Sequence, residues 1–148
     1  MSRTEPGGAA SGAGKPQPIS RITSFHAHIY YDPASTRHAA EVLRERVAER
    51  FLVRNGNWHD VPVGPHPQAM FQISFAKDIF AQIVPWLMLN RSGLTILVHP
   101  NTDRPKDDHL VHALWMGSVL TLDAAKLPET DEPEPPLEPN TKPSVKVE

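Results

Sequence analysis

One hexapeptide, Phe25-His26-Ala27-His28-Ile29-Tyr30, restricts the possible folds more than any other stretch of the chain. Side chains alternate between faces along a strand, so Phe25, Ala27 and Ile29 share one face and His26, His28 and Tyr30 the other. The first face must be packed on an apolar core. The second carries two imidazoles at i, i+2, close enough to reach one metal ion or one bound substrate. A lone pair of this kind more often marks a solvated strand face, so the rest of the chain has to decide.

Around this strand, Ile22–Tyr31, hydrophobic periodicity predicts six further elements. Asp32-Pro33 ends the strand and provides an N-cap and N1 for a helix running to Phe51, with Ala39, Leu43, Val47 and Phe51 as its apolar stripe. His38 lies on its outer side. Asn55-Gly56-Asn57 reads as a turn. Trp58–Val63 and Met70–Phe75 read as strands joined by the rigid Gly64-Pro65-His66-Pro67 link, whose prolines fix φ. Asp78–Asn90 is a helix apolar on nearly every side, with Pro85 inside it, and so needs covering all round. Leu94–Val98 is a strand leading into His99-Pro100, and His109–Met116 a last short strand. The order β-α-β-β-α-β predicts an α+β, ferredoxin-like βαββαβ sandwich, one antiparallel sheet with two helices on one face. The uncovered sheet face and the over-apolar second helix together predict a homodimer.

Composition bounds the domain. Residues 1–20 hold four of the eight glycines and three prolines. Residues 128–148 are rich in proline and acidic residues, and neither segment has the apolar content to offset the entropy of ordering. Both are therefore expected to be disordered tails around a domain at 21–127. A net charge of −2 without a basic stripe gives no case for nucleic acid. No apolar run approaches the ~18 residues that span a bilayer. The absence of cysteine rules out disulfides and thiolate metal sites and fits a cytoplasmic protein. Any metal must then sit on histidine and carboxylate.

The histidine count, eight in 148 residues, is high, and all but His38 lie outside the amphipathic helix. In the predicted fold the first strand is central and the fourth runs antiparallel beside it. Strand parity puts Thr95, Leu97 and His99 on the face of His26 and His28, which makes His26, His28 and His99 the candidate metal ligands. His109 and His112 follow that edge and can fold back over the site. His59 and His66 flank the second hairpin, where a proline on either side preorganises His66.

Several segments carry a resemblance: Phe25-His-Ala-His-Ile-Tyr30, Trp58-His-Asp-Val-Pro-Val-Gly-Pro-His-Pro67, Val84-Pro-Trp-Leu-Met-Leu-Asn-Arg91, Leu97-Val-His-Pro-Asn-Thr102 and Asp108-His-Leu-Val-His-Ala-Leu-Trp115. Over residues 24–117 the chain resembles the DOPA 4,5-dioxygenase family of the small fungal and bacterial type. The resemblance implies a dimeric ferredoxin-like domain and extradiol cleavage of a catechol with non-haem Fe(II) and O2, with zinc as a possible substitute ion. Such chemistry needs open metal positions and an acid and base working near neutral pH, for which histidine is suited. His59, His66, His109 and His112 are then the acid/base candidates, and Tyr30, Arg91 and Arg104 the substrate contacts. Asp60, Asp107 and Asp108 are candidates for a carboxylate ligand, and an all-histidine site stays open. Intradiol chemistry fits poorly, because Tyr30 and Tyr31 are adjacent on a strand and point to opposite faces. Two other readings remain: a non-catalytic dimeric module binding a small aromatic or a metal, and a zinc-dependent hydrolase.

Overall fold

A computed structural model describes residues 14–148. Its frame is a five-stranded antiparallel sheet in the order β2-β3-β1-β4-β5, with β1 Ser24–Tyr31, β2 Arg54–His59, β3 Ala69–Phe75, β4 Ile96–Asn101 and β5 Leu114–Met116. Helices α1 (Arg37–Arg50) and α2 (Phe80–Asn90) follow β1 and β3 as expected, and α3 (Pro105–Leu110) lies between β4 and β5. The βαββαβ order and the α+β sandwich are as the periodicity predicts.

The sheet is two-sided because β1 is. Ala27, Ile29 and Tyr31 pack with Phe71, Ile73, Phe75, Ile96 and Val98 against Leu43, Val47, Ile83 and Leu87 of the two long helices. This is the main core. On the opposite face Tyr30, Met70 and Leu97 form a smaller cluster under Leu122, with Ala113, Trp115 and Leu120 at its edge. The chain thus covers part of the second face with its own 113–122 segment, which reduces one of the two grounds for expecting a homodimer. The other ground is also reduced. Helix α2 buries Ile83, Val84 and Leu87 but leaves Met88 and Leu89 exposed, so it is a one-sided helix with an apolar outer edge.

Local signals were overridden at three places. Helix α1 starts at Arg37 rather than beside Asp32, because the Asp32 carboxylate accepts from the Ala34 N–H (2.9 Å) and caps a preceding turn instead. Asn55-Gly56-Asn57 is not a hairpin turn but lies inside β2, with a register shift between Asn55 and Trp58. An edge strand tolerates such a bulge, and Arg44 on α1 donates to the Gly56 carbonyl (2.7 Å) to hold it. The predicted last strand at His109–Met116 is α3 followed by the three-residue β5. Pro105 at the start of α3, with Asp107 and Asp108 in its first turn, are helix-initiating residues that outweigh the apolar alternation further on.

Of the N-terminal segment expected to be disordered, residues 1–13 lie outside the described residues, and Ile19–Arg21 form a short 3-10 turn. Residues 128–148 contain no helix or strand. In place of a free tail, they run along the domain, bonded to it at Val53, Asn55, Asp103 and Lys106. No helix among the described residues is long and apolar enough to cross a membrane.

Phe71 sits fully buried in the main core, its ring 4.8 Å from that of Trp58. Replacing it with Ala should cost about 3–5 kcal/mol of unfolding free energy, read as a lower urea midpoint at unchanged slope; a loss below about 1 kcal/mol would show that this core closes over the gap.

Candidate metal centre

Five histidines from four parts of the chain meet on the second face of the sheet. His26 and His28 come from β1 and His99 from β4, where it is paired directly opposite His26. His66 comes from the link between β2 and β3, where Gly64 takes a left-handed φ of 56° and the His66 N–H bonds the Val63 carbonyl (3.0 Å). His109 is on α3. One nitrogen each from His26, His28 and His99 lie within 4.8 Å of one another, and the same holds for His28, His66 and His109. The expected triad is therefore assembled, with His28 shared by a second one.

Tautomers are fixed by the backbone. A carbonyl only accepts, so the contacts from His99 Nδ1 to the Pro100 carbonyl (2.9 Å) and from His109 Nδ1 to the Pro105 carbonyl (2.7 Å) place the proton on Nδ1 in both rings. A neutral ring then has a bare Nε2, as in metal sites where the second nitrogen is held by a carbonyl. The Pro100 carbonyl is available for a topological reason. Tyr30 N–H takes the Thr95 carbonyl (2.9 Å), so alternate residues from there, Leu97 and His99, turn their backbone groups towards β1. Pro100 turns outward, beyond Val98, where the pairing with β5 ends, so its missing N–H breaks no ladder.

His28 Nε2 and His99 Nε2 are 3.1 Å apart. Two imidazole nitrogens each ~2.0–2.1 Å from a zinc-like ion and at a right angle would be about 3 Å apart. His28 Nδ1 is buried with no partner. Burial first, and the neighbouring imidazoles second, push His28 and His99 well below the usual histidine range. The same two causes hold His66 down to about 4, and burial lowers His109. Imidazoles that are easily kept neutral, with ring nitrogens turned together, are what a divalent cation requires, so the residues present fit a metal ion.

The other expected site residues are distributed around this cluster. Tyr30 Oη is 2.6 Å from His66 Nδ1, and burial pushes the Tyr30 hydroxyl up, keeping it protonated. His59, half-buried at the end of β2, lies near enough for its charge to depress His66. His112 is exposed and lines a cavity of about 450 Å³ with Phe25, Phe80, Val98 and Leu114, on the helix-packed side of the sheet and so across it from the cluster. Arg91 does not reach the cluster: its guanidinium closes the turn after α2 by donating to the Leu94 carbonyl (2.9 Å). Arg104 is exposed at the N-cap of α3. Among the carboxylates, Asp60 bonds Tyr31 Oη (2.6 Å) and Arg37 (2.8 Å), away from the histidines. Asp107 is exposed. Asp108 is buried and lines a cleft with His26, His99 and His109, but both its oxygens are taken by Thr102. Sequence reasoning missed two residues. Gln72, 3.5 Å from His26 Nε2, shares the strand parity of Met70 and was findable. Glu134, 2.9 Å from the same nitrogen, comes from the C-terminal segment and carried no signal.

A family model described as the Dopa 4,5-dioxygenase family matches residues 25–126. The chain is 39% identical over 111 residues to an uncharacterized 21.2 kDa protein of Botryotinia fuckeliana, covering 68% of this chain and 61% of that protein. It is 35% identical over 124 residues to the DOPA 4,5-dioxygenase of Amanita muscaria, covering 76% of this chain and 54% of that protein. The chain thus spans less than two thirds of the length of either. A crystal structure of a candidate dioxygenase from Nostoc punctiforme superposes with a TM-score of 0.72 at 46% identity, covering 74% of this chain and 95% of that one.

The neutral cluster makes the metal-free protein acid-sensitive. An unfolded chain takes up protons as pH falls through about 6.5, whereas folded His66 does so only near about 4. The unfolded state binds more protons in that window, so this contribution to stability is complete above pH ~6.5 and is lost on acidification towards ~4, at up to about 1.4 kcal/mol per pH unit for each such histidine. Urea midpoints should fall from pH 7 to pH 5, with a shallower slope in His66→Gln; a flat profile would show that these rings are not held neutral.

Proposed function

The chain belongs to the Dopa 4,5-dioxygenase family, and from that premise we propose that it is an extradiol dioxygenase, opening the ring of a catechol with O2 at a histidine-held non-haem Fe(II). The observation that carries this reading is the convergence of imidazole nitrogens from His26, His28 and His99 within 4.8 Å of one another, with burial holding His28 and His99 below the usual histidine range. His26, His28 and His99 would hold the ion. Iron(II), when bound, supplies a centre through which catechol and dioxygen exchange electrons.

The chain's own residues supply binding and proton movement. The cleft on the histidine face, lined by His26, His99, Asp108, His109 and Glu134, is where a small substrate would approach the ion. Tyr30 and His66 share a proton between Oη and Nδ1 in a buried setting. With His66 Nδ1–H donating to Tyr30 Oη, Nε2 is bare, and His66 can take a proton from a catechol hydroxyl there and return it after ring opening. His109 adds a further imidazole, its ring centroid 3.8 Å from that of His99, and His59 and His112 lie outside the converging groups. Tyr30 and Tyr31 lie on opposite faces, and burial with the Asp60 bond pushes the Tyr31 hydroxyl up to about 12; this favours extradiol over tyrosinate-based intradiol cleavage. A homodimer would now rest on the exposed Met88–Leu89 edge, and the cytoplasmic assignment on the cysteine-free composition.

Anaerobic loading with iron(II), then L-DOPA or another catechol acid and air, should give oxygen uptake and a yellow ring-opened semialdehyde. His28→Ala should lower the rate at least about 100-fold with little loss of folding, and His38→Ala, at an exposed helix position, should leave it unchanged. No oxygen uptake across a panel of catechols would sink the proposal, and ligand or metal binding without turnover would favour a binding module instead.

A further inference from the structure

Residues 128–141 cross the histidine face as a strap, outside the family match, which ends at residue 126. One end is pinned beside α3, where Lys106 N–H donates to the Pro128 carbonyl and Asp131 N–H to the Asp103 carbonyl, both at 3.0 Å. The other end is pinned on β2 and the residues before it. Asn140 exchanges two bonds with the Asn55 backbone (2.7 and 3.0 Å) and donates its N–H to the Val53 carbonyl (2.9 Å). Thr141 Oγ1 accepts from Val53 N–H (3.0 Å) and donates to the Phe51 carbonyl (2.8 Å). Between the pins, Pro133, Pro135 and Pro136 have no N–H to offer, and their fixed φ keeps the span extended.

At mid-span Glu134 turns its carboxylate to His26, with Oε1 2.9 Å from Nε2. Among the described residues this is the one carboxylate paired with a histidine of the cluster. Glu134 is not in either group of converging metal donors, so its contact is with the ring and not with the centre. We propose that Glu134 is a positioning residue for His26, delivered by the strap to fix the tautomer and orientation of that ring.

A carboxylate only accepts, so the proton of His26 is held on Nε2 and its bare nitrogen is Nδ1. That is the opposite sense to His99 and His109, whose protons are held on Nδ1 by carbonyls. The Gln72 amide approaches the same Nε2 at 3.5 Å, too far to compete with a carboxylate at 2.9 Å. Its consequence for an ion rests on the iron-site reading above; the ring state does not. Outer carboxylates of this kind commonly change metal affinity about 10–100-fold.

Two measurements on the full chain test this. In the metal-free protein, long-range ¹H–¹⁵N spectra should show His26 protonated at Nε2, and Glu134→Ala should give a mixture of tautomers. A bare Nε2 in the wild type, or no change in the variant, overturns the proposal. In zinc and cobalt(II) competition titrations, Glu134→Gln should bind about 10–100-fold more weakly, Glu134→Asp should recover part of the loss, and Glu134→Gln should add nothing in a His26→Ala background. Unchanged affinity in Glu134→Gln, or an equal loss in both backgrounds, overturns it, because Glu134 then does not act through His26. The expected ring result in a protein that binds neither metal supports the positioning role and removes the iron reading alone.

Discussion

Antiparallel pairing of β1 with β4 sets His26 directly across from His99 and leaves His28 one pleat further along the same face, its Nε2 3.1 Å from that of His99. Both strands are buried, and the main core grips Ala27 and Ile29 on one and Ile96 and Val98 on the other. A slip of one residue would turn this apolar set into the histidine face. The packing of α1 and α2 on the far side of the sheet therefore determines the geometry of the site. The rest of the centre depends on that register: His66 is brought in by the proline-bounded link and His109 by α3, each against rings whose place β1 and β4 have already set.

Burial and the neighbouring rings hold four of the five imidazoles, His28, His66, His99 and His109, below the usual histidine range. The fold answers with neutral rings and with partners that decide where each proton sits. Backbone carbonyls serve His99 and His109, and the Tyr30 hydroxyl serves His66. His28, which belongs to both triads, has a buried Nδ1 without a partner. Because His99 Nε2 is bare, the His28 proton sits on Nε2, 3.1 Å from it, and the buried Nδ1 is the bare nitrogen. Such an unpaired polar atom at the centre of a cluster is where strain is expected to be stored for a ligand to relieve.

How much was legible follows from the range over which each feature is encoded. His26, His28 and His99 could be read because strand parity is local and a βαββαβ order leaves few topologies. Asn55-Gly56 misled because the pairing that draws it into β2 involves Gln72, Ser74 and Arg44, remote in sequence. Helix α3 had its signals in Pro105, Asp107 and Asp108, but the alternation from His109 to Met116 pointed to a strand. Glu134 was not legible at all. Its segment has too little apolar content to suggest an ordered place, and what positions it is a handful of backbone bonds made by Asn140 and Thr141 to residues at the start of β2.

Pro100 has a second effect, at the border of the sheet. Since β5 pairs with β4 only from Ile96 to Val98, the last part of β4 faces outward without a neighbouring strand. An unpaired border of this kind invites a strand from another molecule. Pro100 presents no N–H there, and its carbonyl is already engaged by His99. The backbone arrangement that fixes the His99 ring thus also denies an incoming chain its donor and its acceptor, so a residue tied to the chemistry of the site at the same time protects the protein against sheet-to-sheet association.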